Sequence, residues 1–351
     1  MSMSIRISQL AIPLLCLGAF VVHAEMGVGT VQDPVTRQYT DNVSKDWQEG
    51  IVLHPQTGNY IVTYKDAWGF FNSVILEPAT KIDPTLKSKF KLSDSVNTVV
   101  YEYKLRNGPK AKQDIRMLLT LVSNISGNPT GPLDWDGRIV PTFTDSNLFL
   151  SWTYEDKDAK VLPLRGLAPG KTADGFKVES NDLPGVVMIK VKGNARHTTW
   201  LGNVPSIDTE VGQKVVLLGS MDHIPELAAA PVISVPTPFD AAVVLITIQK
   251  HLAQELVRRK LVDASLAGQL DQLFQAAIVA AKGGNTVALK SNLQALRQLL
   301  KEKHGEMGKD DEDKDDDKDI DKNYVKARDK KLAAKVLDFD LKYIQRRLGD
   351  D

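Results

Sequence analysis

The sequence predicts a two-domain protein, with an N-terminal antiparallel β-sandwich of the immunoglobulin-like (Ig-like) kind and a C-terminal four-helix bundle. Residues 25–227 hold short alternating apolar and polar runs, separated by Gly, Pro and Asn at spacings near ten residues. Residues 239–351 instead repeat apolar side chains at helical spacing. Between them, residues 228–238 (AAAPVISVPTP) contain three prolines in eleven positions and are expected to form a semi-rigid linker.

The stretch 97–123 is expected to form the centre of the β domain. Two strands are expected, one before and one after the polar turn Asn107–Gln113, and each has one apolar face. The apolar residues are Val99, Tyr101, Tyr103 and Leu105 in the first strand and Ile115, Met117, Leu119 and Leu121 in the second. This period of two predicts a hairpin whose apolar faces lie on the same side. Because two strands are not stable alone, that face requires a second layer.

The remaining strands of the β domain are predicted from shorter patterns. Residues 25–50 are expected to be a loose lead-in, and residues 126–137, rich in Gly, Pro and Asn, a long loop. The predicted strands are Ile51–Leu53, Tyr60–Lys65, Phe70–Leu76, Asn147–Tyr154, Gly175–Ser180, Val186–Lys192 and Lys214–Leu218.

The four predicted helices each carry one apolar stripe, which is typical of a small bundle. Asp240, Asp263 and Asn285 are the expected N-terminal caps of the first three, and Gly283 and Gly284 are expected to end the second. The stripes are Val244, Ile248, Leu252 and Leu256; Leu266, Leu270, Leu273 and Ala277; Leu289, Leu293, Leu296 and Leu300; and Leu337, Leu341, Ile344 and Leu348.

Residues 1–24 have the pattern of a secretory signal peptide. Arg6 precedes the 13-residue apolar run Leu10–Val22, and Ala24 offers a cleavage site. This predicts a secreted protein, periplasmic or extracellular, with no transmembrane segment after cleavage. The 327 residues that remain (351 minus 24) contain no cysteine, since Cys16 is the single one, which excludes disulfides and thiolate chemistry. With 44 basic and 44 acidic residues, no nucleic-acid partner is expected.

Residues 243–348 resemble the FIMAH helical module of bacterial secreted and surface proteins. The resemblance rests on Leu245–Lys260, Leu266–Ala281 with its Gly283-Gly284-Asn285 stop, Ala288-Leu289, Leu293–Leu300 and the final Asp340–Ile344. The N-terminal part resembles uncharacterised bacterial exported β-domains through Tyr101–Asn107, Ala168–Gly170, Gly175-Phe176 and Leu183–Gly185. What these resemblances imply is adhesion or surface attachment, without a known ligand or active site.

A candidate ligand-binding site lies in the predicted loop, where Asp134 and Asp136 flank Trp135. An aromatic ring beside two carboxylates is typical of a sugar-binding platform or a glycosidase. The alternative is that the two aspartates are turn formers, because Asp readily bonds to its own backbone.

The acidic run Lys309–Lys322 is the candidate metal site. Nine of its fourteen residues are acidic, and the alternating carboxylates of Asp313, Asp315, Asp317, Asp319 and Asp321 match part of a calcium loop. Lys318 stands where such a loop needs glycine, and Tyr324 where it needs glutamate. A solvated, self-repelling loop without calcium is therefore the alternative.

Other catalytic patterns are missing from the sequence. The five histidines of the cleaved chain show no zinc-hydrolase spacing, and no Gly-x-Ser-x-Gly elbow occurs. The sequence GLAPGKT at 166–172 is one residue too short for a phosphate loop and is interpreted as a turn. The leading hypothesis is a non-enzymatic exported binding or adhesion protein whose partner is an extracellular protein or glycan. The alternatives are a glycan-active hydrolase or its accessory subunit, and a structural envelope component.

Overall fold

The structure is a computed structural model. It describes residues 26–32, 39–44, 49–65, 71–93, 97–141, 148–155, 166–194, 205–304 and 322–349. The chain divides into a small unit, residues 1–76 and 197–213, and a large unit, residues 77–196 and 214–351. The predicted signal peptide and the acidic positions Asp313, Asp315, Asp317, Asp319 and Asp321 lie outside the described residues.

The small unit contains two antiparallel sheets. Its strands are β1 (Met26–Gln32), β2 (Tyr39–Ser44), β3 (Gly50–Leu53), β4 (Tyr60–Lys65) and β5 (Phe71–Leu76). β1 pairs with β2, and β4 lies between β3 and β5. The stretch predicted to be a loose lead-in thus includes β1 and β2. In the second sheet, Val62 and Val74 are register partners and both are fully buried.

The large unit begins with strands of two further antiparallel sheets. They are β6 (Pro84–Leu92), β7 (Val99–Asn107), β8 (Ile115–Val122), β9 (Trp135–Pro141), β10 (Leu148–Tyr154), β11 (Thr172–Ser180) and β12 (Leu183–Gly193). The helix α1 (Glu210–Met221) includes residues assigned to both units, and β13 (Ile224–Ile233), which follows it, belongs to the large unit. One sheet has the order β11-β7-β6, and the other, called here the five-stranded sheet, has the order β13-β12-β8-β10-β9.

The predicted hairpin within residues 97–123 is wrong. β7 lies between β11 and β6, whereas β8 lies between β12 and β10 in the other sheet. The rings of Tyr103 on β7 and Trp152 on β10 meet across the interior, with centroids 5.5 Å apart. Two amphipathic strands can bury their apolar faces by facing each other across a core as well as by pairing, and the sequence pattern does not distinguish these arrangements.

The predicted apolar face of β8 is also wrong beyond its first residue. Ile115 is buried, but farther along the strand the core-facing residues are Leu118, Thr120 and Val122, while Leu121 is 46% exposed. The pairing of β8 with β12 shifts at Lys192 and Gly193, next to Ile115, so the alternation changes phase there. The side chains of Met117, Leu119 and Leu121 therefore belong to the outer face of the sheet.

The predicted linker is a strand. β13 covers residues 228–233 of the segment and pairs along the length of β12, with Ala228, Ala229 and Ala230 fully buried. Small residues allow close packing on both faces of a strand. They are also typical of linkers, so the composition alone does not distinguish a strand from a linker. Pro231 is tolerated because β13 is an edge strand of its sheet.

Several other elements differ from the sequence prediction. The predicted strand Lys214–Leu218 lies within α1, since a short apolar run does not distinguish a buried strand from a helix. The predicted long loop 126–137 ends at residue 134, because β9 begins at Trp135. β6 was not predicted, because its sequence PTLKSKFKL has only three large apolar side chains among lysines.

The four predicted C-terminal helices are present. They are α2 (Ala241–His251), followed by a π-helical turn (Leu252–Val257), then α3 (Ala264–Lys282), α4 (Thr286–His304) and α5 (Lys322–Arg347). Asp240 caps α2 by accepting from the amides of Ala242 and Val243. Asn285 accepts from the Ala288 amide at the start of α4, and Gly284, at φ +67°, follows the end of α3.

The predicted apolar stripes of the helices are confirmed in most positions. The residues of the predicted stripes that are buried are Val244, Ile248, Leu252, Leu256, Leu266, Leu270, Ala277, Leu289, Leu293, Leu296, Leu300, Leu337, Leu341 and Ile344. Leu273 and Leu348 are partly buried against the same core.

The predicted separation into an all-β and an all-α domain is not found, because helices and sheets share one hydrophobic core. Phe339 of α5 contacts Phe90 of β6, with ring centroids 5.1 Å apart. Arg328 of α5 donates to Glu226 of β13, whose carboxylate also accepts from the Leu86 amide of β6. α5 thus joins both sheets of the large unit, which is a mixed β and α structure.

Candidate functional site

Trp135 lies in the core of the large unit. Its side chain is 8% exposed and packs edge-on against Phe176 of β11 and Tyr154 of β10, with ring centroids 4.9 and 5.6 Å apart. The neighbouring Trp152 is also buried and donates its indole N–H to the Thr130 carbonyl. In this arrangement the Trp135 ring has no open face on which a sugar could stack.

The two aspartates beside Trp135 have different environments. Asp134 adopts a positive φ of 68° in the turn before β9, and its carbonyl accepts from the Glu155 amide. Asp136 follows Trp135 in β9, so strand alternation places it on the opposite face, where it pairs with Arg138. The structure therefore does not bring Trp135 and Asp136 to one face, and ligand binding by these three residues stays a prediction.

The calcium prediction concerns residues outside the described part of the chain and stays untested. Among the residues that the structure describes, no three His, Cys, Asp or Glu side chains are grouped closely enough to hold a metal ion. The segment 166–172 contains the predicted turn: Gly170 has φ +75°, its amide donates to the Asn107 carbonyl, and β11 begins at Thr172.

An apolar stripe crosses the outer face of the five-stranded sheet. Its members are Val140, Phe149, Leu121 and Met188, one from each of β9, β10, β8 and β12. Phe149 is the register partner of both Val140 and Leu121. Met188 and Leu121 each lie two residues beyond the pair formed by Lys190 and Leu119. Val140, Leu121 and Met188 are 46%, 46% and 45% exposed, so the stripe is largely open to solvent.

The next row of the same face is mostly polar. It consists of Arg138, Ser151, Leu119 and Lys190, which are register neighbours across the same four strands. The row beyond it contains Asp136, Thr153, Met117 and Lys192. Arg138 donates to Asp136 and, over 2.7 Å, to Glu155. These carboxylates raise the pKa of the exposed Arg138.

An apolar stripe beside a polar row is typical of a surface that binds another protein. Valine, leucine, methionine and phenylalanine side chains bury well against similar side chains, and polar neighbours fix the orientation. Sequence reasoning missed the stripe because it assigned Leu121 to the core. The signal that could have found it is the opposite alternation of Leu118, Thr120 and Val122, although Thr120 made that face less apolar than the other.

A buried polar cluster lies where α5 meets the sheets. Asp182, between β11 and β12, accepts from the hydroxyls of Ser123 and Ser234 and from the Val235 amide. The Tyr101 hydroxyl donates to the Asp182 carbonyl over 2.7 Å. Burial raises the pKa of Tyr101, and the nearby Tyr103, Asp340 and Asp182 raise it further.

Asp340 on α5 is the most unusual member of this buried polar cluster. It is 1% exposed, and its Oδ1 atom has no hydrogen-bond partner among the described residues. Burial raises the pKa of this carboxyl well above its ordinary value of 3.8, so the structure favours the neutral acid.

No helix in the described part of the chain is long and apolar enough to cross a membrane.

A scan of protein-family models, a search of curated proteins and a search of solved structures each found no match to this chain. The resemblance of residues 243–348 to the FIMAH module therefore stays a prediction.

Proposed function

We propose that this chain is an exported, non-enzymatic binding protein that captures a partner protein on the outer face of its five-stranded sheet. The observation that carries the proposal is the apolar stripe of Val140, Phe149, Leu121 and Met188. Solvent-exposed apolar side chains arranged as a row across four strands are costly for solubility unless they serve an interface.

The chemistry of the stripe favours a protein over a glycan. Glycans are usually held by exposed aromatic faces together with hydrogen-bonding groups, whereas Trp135 and Trp152 of this chain are buried. The stripe is mainly aliphatic, with a single half-buried aromatic residue, Phe149. Lys190, in the neighbouring polar row, would suit a partner that presents a carboxylate next to its apolar side chains.

The proposal includes the architecture and the location expected from the sequence. The two sheets of the large unit form an Ig-like sandwich, and α2–α5 form a FIMAH-like helical module that packs on it rather than standing apart. The pattern of residues 1–24, with Arg6 and the run Leu10–Val22, supports export with cleavage after Ala24. Mass spectrometry of the protein from its native host should then find Glu25 at the N-terminus.

The experiment that tests the binding face is site-specific photo-crosslinking in the native host. A photoreactive residue is placed at Leu121, at Met188 or, as a matched control, at Val287, which is 81% exposed on α4. If the stripe is the binding face, Leu121 and Met188 capture the same partner protein and Val287 does not. The captured partner, once purified, must also bind the unmodified protein.

Equal capture from all three positions, or no protein captured from either stripe position, would overturn the proposal. A glycan array with the purified protein tests the alternative that the ligand is a glycan. Binding of a defined glycan that survives Leu121→Glu would place the ligand elsewhere and contradict the role of the stripe.

A further inference from the structure

His251, the last residue of α2, contacts the backbone of β12. Its Nε2 atom accepts a hydrogen bond from the Val186 amide over 3.1 Å. The ring lies so close to the strand that a Cβ atom at Gly185 would be 3.0 Å from its Cε1 and Nε2 atoms. Gly185 therefore permits an approach that a larger residue would prevent.

This contact depends on the protonation state of the imidazole. A ring nitrogen that accepts from a backbone N–H must carry no proton of its own, so the bond requires neutral His251 with its proton on Nδ1. Protonation of Nε2 would place two donors opposite each other and would break its hydrogen bond with the Val186 amide.

We propose that His251 is an acid-sensitive latch that holds the end of α2 on β12 while neutral and releases it when protonated. The proposal stands on the contact between His251, Val186 and Gly185, and it is independent of the proposed binding function. The π-helical turn Leu252–Val257 follows directly, so the latch lies next to a point where the regular α-helical bonding changes.

The charged groups around the ring agree with this behaviour. Burial lowers the pKa of His251 from its ordinary value of 6.5; Glu255 acts to raise it and Arg259 to lower it. Glu255 is itself bound by Arg258 and Arg259, which reduces its effect on the imidazole. The strand residues at the contact, Gly185 and Val186 of β12 and the adjacent Val232 of β13, carry no charge.

The direction of the pH effect follows from the lowered pKa. The contribution of His251 to stability is fully present above pH 6.5 and is lost as the pH falls towards the lower pKa of the folded state. A fall in pH below neutrality is thus expected to loosen the contact between α2 and β12.

The test is hydrogen exchange of the Val186 amide in the full chain at pH 5.0 and pH 7.5, corrected for intrinsic exchange. In the wild type, the protection of the Val186 amide should fall on acidification. The fall should be about tenfold for each pH unit between the ordinary pKa of histidine and the lower pKa of His251 in the folded state. His251→Gln, which can accept from Val186 but does not titrate, should show no such fall. His54→Gln, on the small unit, should behave as the wild type.

Equal loss of protection in the wild type and His251→Gln, or pH-independent protection in the wild type, would overturn the latch. If His251→Gln does not fold, the wild-type ring is followed by NMR. A folded His251 that carries its proton on Nδ1 and titrates below pH 6.5 supports the proposal. A proton on Nε2, or titration at or above 6.5, refutes it.

Discussion

Tyr101 and Tyr103 occupy successive core-facing positions of β7, yet their hydroxyl groups have different environments. The Tyr101 hydroxyl donates to the Asp182 carbonyl over 2.7 Å. The Tyr103 hydroxyl has no hydrogen-bond partner among the described residues, although the side chain is 1% exposed. Burial raises the pKa of both phenols.

This difference predicts opposite effects of the same substitution. A buried hydroxyl without a partner costs about 1–3 kcal/mol, so Tyr103→Phe should leave the unfolding free energy unchanged or raise it by up to that amount. Tyr101→Phe removes the donor to the Asp182 carbonyl and should lower the unfolding free energy by about 1–3 kcal/mol. Urea unfolding of both variants measures the two effects, and a destabilising Tyr103→Phe would show that its hydroxyl has a partner.

Asp340 predicts a pH dependence of stability with the opposite sign to that of His251. Its folded pKa is raised by burial, so its contribution to stability is lost as the pH rises above the ordinary carboxyl value of 3.8. Asp340→Asn, which is nearly isosteric and always neutral, should therefore stabilise the protein more at pH 8 than at pH 5. Melting temperatures of the two proteins at both pH values test this, and a pH-independent difference would contradict the buried placement of the carboxyl.

The shared core predicts that helices and sheets unfold together in the large unit. Leu270 is fully buried on α3, so Leu270→Ala should cost about 2–5 kcal/mol. Far-ultraviolet circular dichroism and tryptophan fluorescence should report the same lowered transition, because Trp152 belongs to the same core. Val279→Ala, at a position 69% exposed on the same helix, is the matched control and should stay within about 0.5 kcal/mol. A helical transition that moves alone would instead support separate domains.

The acidic run predicts a weak response to calcium. Alternating carboxylates such as Asp315 and Asp317 offer hard oxygen ligands, but the absent glycine and glutamate limit affinity to roughly 10⁻⁴–10⁻³ M. Millimolar calcium should then raise the melting temperature, since an ion that binds only the folded state stabilises it, and magnesium should do so less. If the variant carrying both Asp315→Asn and Asp317→Asn responds as strongly as the parent, calcium does not bind at these residues.

Helical elements were predictable because their signals are local. Asp240 caps α2 as expected, Gly283 and Gly284 follow α3, and the stripe positions Leu270 and Leu293 are fully buried. Period-two alternation likewise located β7, β10 and β12 within a few residues. Each of these features depends on side chains a few positions apart, where spacing and capping chemistry are sufficient.

Strand partnership and the candidate binding face were not predictable in the same way. Whether β8 pairs with β7 or faces it depends on long-range contacts that leave no mark on the local pattern. A single register shift beside Ile115 exchanged the faces of β8 and moved Leu121 to the surface. The buried alanines of β13 were interpreted as linker residues. The small side chains that close packing on both faces of a strand requires are also typical of linkers.

The central claim, that the stripe binds a partner protein, is tested most directly by one affinity comparison. The partner protein is first identified by crosslinking and then purified. Its Kd is measured by calorimetric titration with the wild type, with Leu121→Glu and with Val287→Glu. A buried charge in the stripe should weaken binding at least about tenfold, which corresponds to about 1.4 kcal/mol. The account predicts this loss for Leu121→Glu and a change within about twofold for Val287→Glu. Equal affinity of Leu121→Glu and the wild type would contradict it.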